Sequence, residues 1–157
     1  MPQSQQMRDL VAKMKLIPNQ SVVNGKSGIF LDDSIVRGTQ LKDNVRDLHD
    51  AGIKEVHMRI ACPPLTFPCE FLNFSRSRSN LDLATHTAVK ELEGKDNYDM
   101  TDYIDRNNVK YNAMVESIRK RLGLSTLTFQ KLEDLVEAIG LPKEKLCTHC
   151  WDGTSYF

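Results

Sequence analysis

The sequence has no surplus of either charge. Lysine plus arginine and aspartate plus glutamate number 21 each, so the 157-residue chain is formally neutral. Neutrality removes the electrostatic footprint of a general nucleic-acid binder, which meets phosphates with excess cations. The sequence also has no run of about 18 apolar residues, the length needed to cross a bilayer. Its opening, Met1-Pro2-Gln3-Ser4-Gln5-Gln6, carries neither an apolar signal region nor a lipidation motif. Repeats and low-complexity tracts are missing. Together these absences predict a soluble cytoplasmic protein that engages neither membrane nor nucleic acid. At roughly 150 residues per domain the length predicts one domain. Such a chain buries roughly two thirds of its unfolded surface and needs no staples.

Cysteine is scarce, at positions 62, 69, 147 and 150. Without an export signal, disulfides are not expected. Cys147-Thr148-His149-Cys150 has the CxxC spacing of redox and metal sites, so metal or cluster ligation competes with free thiols. His149 inside that turn is the lesser candidate for a zinc ligand, since the two cysteines already define the turn, and His49, His57 and His86 pair with no serine or cysteine at a triad spacing.

The first 20 residues are polar and basic and read as a loop or a loosely held arm. Gly28-Ile29-Phe30-Leu31 is a short apolar run bounded by turn signals, which predicts a buried parallel strand. From Thr39 to Ala51 the apolar Leu41, Val45 and Leu48 follow helical spacing, and Gly52 supplies a stop. Val56, Met58 and Ile60 then alternate with His57 and Arg59, a strand period. Strand, helix and strand make a βαβ unit, closed by Cys62-Pro63-Pro64. The second half reads as helical. Ser79 and Asp82 make a capping pair before Leu81, Ala84, Ala88 and Leu92. Tyr111, Val115, Ile118 and Leu122 mark a second helix ended by Gly123. Thr128 is placed to cap a third, with Leu132, Leu135 and Ile139 before Gly140. Two strands are too few for a doubly wound sheet, so the chain reads as the later part of an α/β domain.

The informative segment is Phe30-Leu31-Asp32-Asp33-Ser34-Ile35-Val36-Arg37-Gly38-Thr39. A strand delivers two carboxylates at its C-terminal end, where open α/β folds bind ligands. A loop with hydroxyls and a glycine follows, and then a helix begins. Backbone N–H groups at that helix start, with Ser34 and Thr39 beside them, make an anion cradle. Gly38 lets the backbone approach a phosphate. Paired carboxylates suit sugar hydroxyls or a hydrated magnesium ion. Phosphate at one end and carboxylates at the other describe a site for a phosphorylated sugar. A bare Asp-Asp more often just ends a strand, and the full order around it reverses that reading.

Asp32-Asp33-Ser34-Ile35-Val36-Arg37-Gly38-Thr39 resembles the phosphoribosyl-pyrophosphate (PRPP) loop of amidophosphoribosyltransferases. This eight-residue form is more specific than the general type I phosphoribosyltransferase pattern of two acids before a small-residue loop. Met14-Lys15-Leu16 resembles the basic stretch of the family's flexible loop. Arg59-Ile60-Ala61-Cys62-Pro63-Pro64 resembles the segment after the next strand. Pro68-Cys69 and Cys147-Thr148-His149-Cys150 resemble its iron–sulfur cysteines. The resemblance runs over nearly all 157 residues and is looser from Phe74 to Asn108.

What the resemblance implies is an α/β fold of type I phosphoribosyltransferase kind, a Rossmann-like parallel sheet. It is incomplete here and followed by a mainly helical C-terminal part. Residues 1–157 form one partial domain, with the βαβ unit and PRPP loop in 1–70 and the CxxC in 71–157. The implied activity is an enzyme of de novo purine biosynthesis, forming 5-phosphoribosylamine from PRPP and glutamine-derived ammonia. By this carry-over Asp32 and Asp33 hold ribose hydroxyls and Mg2+, and residues Ser34, Ile35, Val36, Arg37, Gly38 and Thr39 hold the 5-phosphate. Lys13 and Lys15 reach phosphate oxygens when the flexible loop closes. Cys69, Cys147 and Cys150 are three of the four thiolates of a 4Fe–4S cluster, with zinc as the rival metal and Cys62 as a small buried thiol. The glutaminase domain and the first part of the transferase domain are absent from the sequence. The expected partners are PRPP, that glutaminase domain and further copies in a homo-oligomer, and catalysis by this chain alone is not expected. The alternative is a non-catalytic module that binds PRPP or a nucleotide and regulates another process. Ser75-Arg76-Ser77-Arg78-Ser79 reads as a solvated loop, and Trp151 and Phe157 as shielding for a cluster or core.

Overall fold

The computed structural model describes residues 17–69, 71, 83–95 and 97–154. Lys13, Lys15, the Met14-Lys15-Leu16 stretch, the Ser79 and Asp82 capping pair, the Ser75–Ser79 loop and Phe157 lie outside the described residues. In chain order the elements are α1 (Gln20–Val23), β1 (Ser27–Asp32), α2 (Thr39–Asp50), β2 (Glu55–Ile60), α3 (Ala84–Glu93), α4 (Val109–Leu122), β3 (Thr126–Phe129), α5 (Leu132–Ile139) and α6 (His149–Asp152). Single 3-10 turns lie at Thr101–Tyr103 and Lys143–Lys145.

The three strands form one parallel sheet in the order β1-β2-β3. Strand β2 is its centre, and the period-two pattern explains its register. Val56, Met58 and Ile60 are buried, while Glu55, His57 and Arg59 point to the other face. Leu127 and Phe129 of β3 continue the buried face. Helix α4 packs against β3, α2 and α3. Met114 and Ile118 of α4 meet Val45 and Leu48 of α2 and Val89 of α3 in one core.

Two expectations change. Thr128, expected as a helix cap, lies inside β3 and pairs with Arg59. Helix α5 is capped instead at Lys131, without a side-chain hydrogen bond. The second change concerns β1, whose apolar run predicts a buried strand. It is an edge strand, and Ile29 and Leu31 are 67% and 83% exposed. The face decides this, because Ile29 and Leu31 are in register with His57 and Arg59, on the side of the sheet away from the buried Val56, Met58 and Ile60.

The helix ends follow their local chemistry. Gly52 donates its N–H to the His49 carbonyl just past α2. The Asn108 side chain accepts from Lys110 N at 2.9 Å to cap α4. Arg119, Lys120 and Arg121 fill the last turn of α4, where cations complement the helix dipole.

Candidate functional site

Strand β1 stops at Asp32, and its neighbour β2 stops at Ile60, so the sheet presents its C-terminal ends on one side. The Asp32 carbonyl accepts from Ala61 N at 2.9 Å, which extends the pairing one residue beyond the strand. Two carboxylates follow directly. Asp32 Oδ1 accepts from Asp33 N at 3.0 Å, and Asp33 Oδ1 accepts from Ser34 N at 2.7 Å. Each acid therefore uses one oxygen to shape the loop. Among the described residues no cation pairs with either one. Partial burial raises the Asp32 pKa, and the adjacent Asp33 charge adds to the effect. Two acids without a counter-charge fit a cation or the hydroxyls of a sugar.

The loop turns back into the protein at Ile35, whose side chain is buried in the core. Its contribution to a ligand is then made by main chain. The Val36 carbonyl accepts from Ala84 N at 2.8 Å, tying the loop to the start of α3. Gly38 has φ of +75° and is the N-cap of α2 with no side-chain cap. The first N–H groups of α2 are thereby left for an incoming anion. A cavity of about 620 Å³ opens here, lined by Asp32 and by Ser34 through Leu41 with Asn44. Ser34, Ile35, Val36, Arg37, Gly38 and Thr39 are thus brought together around one space with Asp32, while Asp33 stands beside it.

The cysteines divide into two places. The loop after β2 returns to the C-terminal helix through a forked hydrogen bond. Thr66 N and Phe67 N both donate to the Cys150 carbonyl, at 2.8 and 3.0 Å. This brings the Cys69 and Cys150 thiols into hydrogen-bonding contact, with Cys147 close enough for its charge to act on Cys150. Burial, then the Cys69 and Cys147 thiols, push the Cys150 thiol up to about 12. Cys69 is buried and Cys147 is exposed. Cys62 stands apart. Burial pushes its thiol up to about 11, and the charges acting on it are those of Asp33 and Asp32. The Trp151 indole N–H is buried without a normally spaced acceptor and acts on the Cys62 sulfur.

Among the described residues no three His, Cys, Asp or Glu side chains are grouped to hold one metal ion. Asp32 and Asp33 fit Mg2+ as a pair of hard oxygen donors whose remaining ligands come from substrate and water. The three thiols fit a cluster in donor chemistry, and a fourth ligand would come from outside the described residues.

His86 is a satisfied core histidine. Its Nε2–H donates to the Thr66 carbonyl at 2.7 Å, and Nδ1 lies 3.1 Å from the Tyr98 hydroxyl. It holds the loop that carries Cys69 to α3, together with Thr85, whose hydroxyl donates to the Leu65 carbonyl at 2.7 Å. A second cavity, of about 480 Å³, lies beyond the ends of β2 and β3, lined among others by Pro64, Arg106, Gln130, Lys131 and Trp151. The sequence carries no signal for it, because its walls come from separate segments.

No family model matches the chain. Curated relatives do. The amidophosphoribosyltransferase of Methanothermobacter thermautotrophicus is 35% identical over 150 residues, which is 96% of this chain and 26% of the relative. That of Mycobacterium tuberculosis is 35% identical over 151 residues, 96% of this chain and 24% of the relative. The chloroplastic enzyme of Glycine max is 35% identical over 150 residues, 96% of this chain and 22% of the relative. Among solved structures, the B. subtilis glutamine PRPP amidotransferase complexed with ADP and GMP superposes with a TM-score of 0.67. It is 29% identical, with 99% of this chain and 29% of that chain covered. A structure described as the allosteric regulatory enzyme of purine biosynthesis gives a TM-score of 0.66 at 28% identity. The chain is homologous to amidophosphoribosyltransferases over about 96% of its length and spans about a quarter of the length of the curated relatives it matches. Its three-stranded parallel sheet matches part of the phosphoribosyltransferase domain of PRPP amidotransferase.

Proposed function

We propose that this chain supplies the PRPP-binding part of an amidophosphoribosyltransferase, the activity that forms 5-phosphoribosylamine. The observation that carries the reading is the cavity of about 620 Å³ in which Asp32 and the Ser34–Thr39 loop face one another at the end of β1. In the proposed reaction ammonia derived from glutamine attacks the anomeric carbon of PRPP. The bond from that carbon to the pyrophosphate oxygen breaks, and pyrophosphate leaves with the electron pair. Positive charge builds on the ribose ring and negative charge on the leaving group. Catalysis is then mainly positioning and electrostatics.

In this reading Asp32 and Asp33 accept hydrogen bonds from the ribose hydroxyls and hold Mg2+. When bound, Mg2+ neutralises charge on the pyrophosphate oxygens. The main chain from Ser34 to Thr39, and the N-terminus of α2, hold the 5-phosphate. Arg37 adds a positive charge at the rim, and Lys13 and Lys15 act from a closing loop. Cys69, Cys147 and Cys150 would supply three thiolate ligands to an iron–sulfur cluster, and such a cluster would cross-link the loop after β2 to α6. The setting proposed is purine biosynthesis in the cytoplasm, with a glutaminase domain and further copies as partners.

The test is calorimetric titration of the chain with PRPP in the presence of Mg2+. Asp32→Asn and Asp33→Asn each remove one charged contact, worth about 1.5–3 kcal/mol, so affinity should fall about 10- to 100-fold. Unchanged affinity in both variants, or no PRPP binding by the parent chain, overturns the reading. Binding without ammonia-dependent turnover once the remaining domains are present favours a regulatory module instead.

A further inference from the structure

Next to Gly38 lies a smaller cavity of about 210 Å³, which shares Arg37, Gly38 and Thr39 with the larger loop cavity. Three separate segments place cations around it: Arg37 from the loop, Lys42 from α2 and Arg121 from the end of α4. Its floor is apolar, made by Ala84, Ile118 and Leu122, all buried. No carboxylate is among its described lining residues. Glu91, 3.5 Å from Arg121 Nε, answers one of these cations from outside the cavity.

Helix stability explains Arg121, since a cation in the last turn of α4 complements the dipole. It does not explain Lys42. That residue is the fourth of α2, at the positive end of the helix, where a cation is unfavourable. Among the described residues Lys42 has no ion-pair partner. Lys42 is exposed and lines the same cavity as Arg37 and Arg121, so cations from three segments converge there with no carboxylate among the described lining residues to answer them. The volume sets the size of that anion. It lies below the roughly 300–1,000 Å³ of sites for larger organic ligands.

We infer that this cavity is a second anion site, for inorganic phosphate or the phosphate end of a small phosphomonoester. It is distinct from the loop proposed to hold the substrate 5-phosphate. Lys42 and Arg121 grip the anion, and Arg37 is shared, because Arg37, Gly38 and Thr39 line both cavities. An anion here therefore braces the loop. Only this bracing role rests on the proposed function. The site itself does not.

The experiment is a titration of the full chain with inorganic phosphate, followed by calorimetry and by 31P NMR, with glycerol 3-phosphate as the phosphomonoester arm. The parent should show two classes of site. In Lys42→Ala/Arg121→Ala one class should weaken at least tenfold, and the other should stay. Lys42→Arg should retain both. Asp32→Asn/Asp33→Asn should also retain the Lys42 class, whether or not PRPP binds. Tighter binding of glycerol 3-phosphate than of phosphate would identify a phosphomonoester as the occupant, and the reverse order would identify inorganic phosphate. An isotherm unchanged in Lys42→Ala/Arg121→Ala overturns the inference. Should that double variant fail to fold, Lys42→Met, at an exposed position, removes the same charge and is read by the same criterion. Loss of PRPP binding with an intact Lys42 class would sink the proposed function and leave this site standing.

Discussion

Gly38→Ala tests the loop at the point where two cavities meet. Gly38 has φ of +75°, in the left-handed region. For a residue with a Cβ that conformation costs roughly 1–2 kcal/mol. Space adds a second cost. A Cβ at this position would stand 3.1 Å from Leu122 Cδ2 and 3.7 Å from Ile35 Cγ2. Leu122 and Ile35 are both buried, so neither swings freely aside. Adding a methyl to a packed place costs roughly 1–3 kcal/mol. The expected loss is then about 2–5 kcal/mol. Gly140 provides the control. It has φ of +74°, and nothing lies within 4 Å of a Cβ built there. Gly140→Ala should lose only the backbone cost of about 1–2 kcal/mol. Urea unfolding reads both, as shifts in midpoint at unchanged slope. Trimming the neighbour separates the two costs further. In a double-mutant cycle, Leu122→Ala should recover much of the excess loss of Gly38→Ala, because it removes the atom that crowds the new methyl. Equal destabilisation by Gly38→Ala and Gly140→Ala, with no coupling to Leu122, would refute the close approach of Gly38 to Leu122 of α4.

Other expectations follow from burial and titration. Burial holds the His86 pKa below its ordinary value of 6.5, so the folded state refuses a proton that the unfolded state accepts. Stability should be full above about pH 6.5 and fall as the pH drops from there toward the folded pKa; urea midpoints between about pH 5 and 8 should show this slope, and His86→Gln should flatten it. Cys147 is exposed, whereas burial pushes the Cys62 thiol up to about 11 and the Cys150 thiol up to about 12. Iodoacetamide at mildly alkaline pH should therefore alkylate Cys147 first in the native chain, as read by peptide mass spectrometry, and equal labelling of all three would contradict the packing described for them.

The βαβ unit was legible because its signals are local. Leu41, Val45 and Leu48 carry the helical spacing, and Val56, Met58 and Ile60 carry the strand spacing. The phosphate-type loop was legible for the same reason, as one continuous segment. Strand β3 was not. Its four residues, Thr126 to Phe129, do alternate, but so short a run is ambiguous. What makes it a strand is its pairing with β2, far earlier in the chain, which no local pattern carries. The exposure of Ile29 and Leu31 was hidden too, since an apolar run does not say which face of the sheet the rest of the chain covers. The His86 side chain sits on the buried face of α3, and Leu92, expected on that face, is 47% exposed. The meeting of the thiols is equally non-local. It depends on the hydrogen bonds from Thr66 and Phe67 to the Cys150 carbonyl, which join segments from the middle and the end of the chain.

Strand β1 sets terms for handling the molecule. Among the described residues no strand pairs with its outer edge, and on one face of it stand Ile29 and Leu31. Natural sheets blunt such borders with lysine, proline or a bulge. Within β1 itself, Ser27 to Asp32, there is no lysine and no proline. A border left open in this way is a template for strand addition. A charge at position 29 or 31 would act as a gatekeeper without entering the core, because both side chains already point to solvent. The same two positions mark a place where a covering layer of chain would gain by settling, at roughly 25 cal/mol for each Å² of apolar surface removed from water.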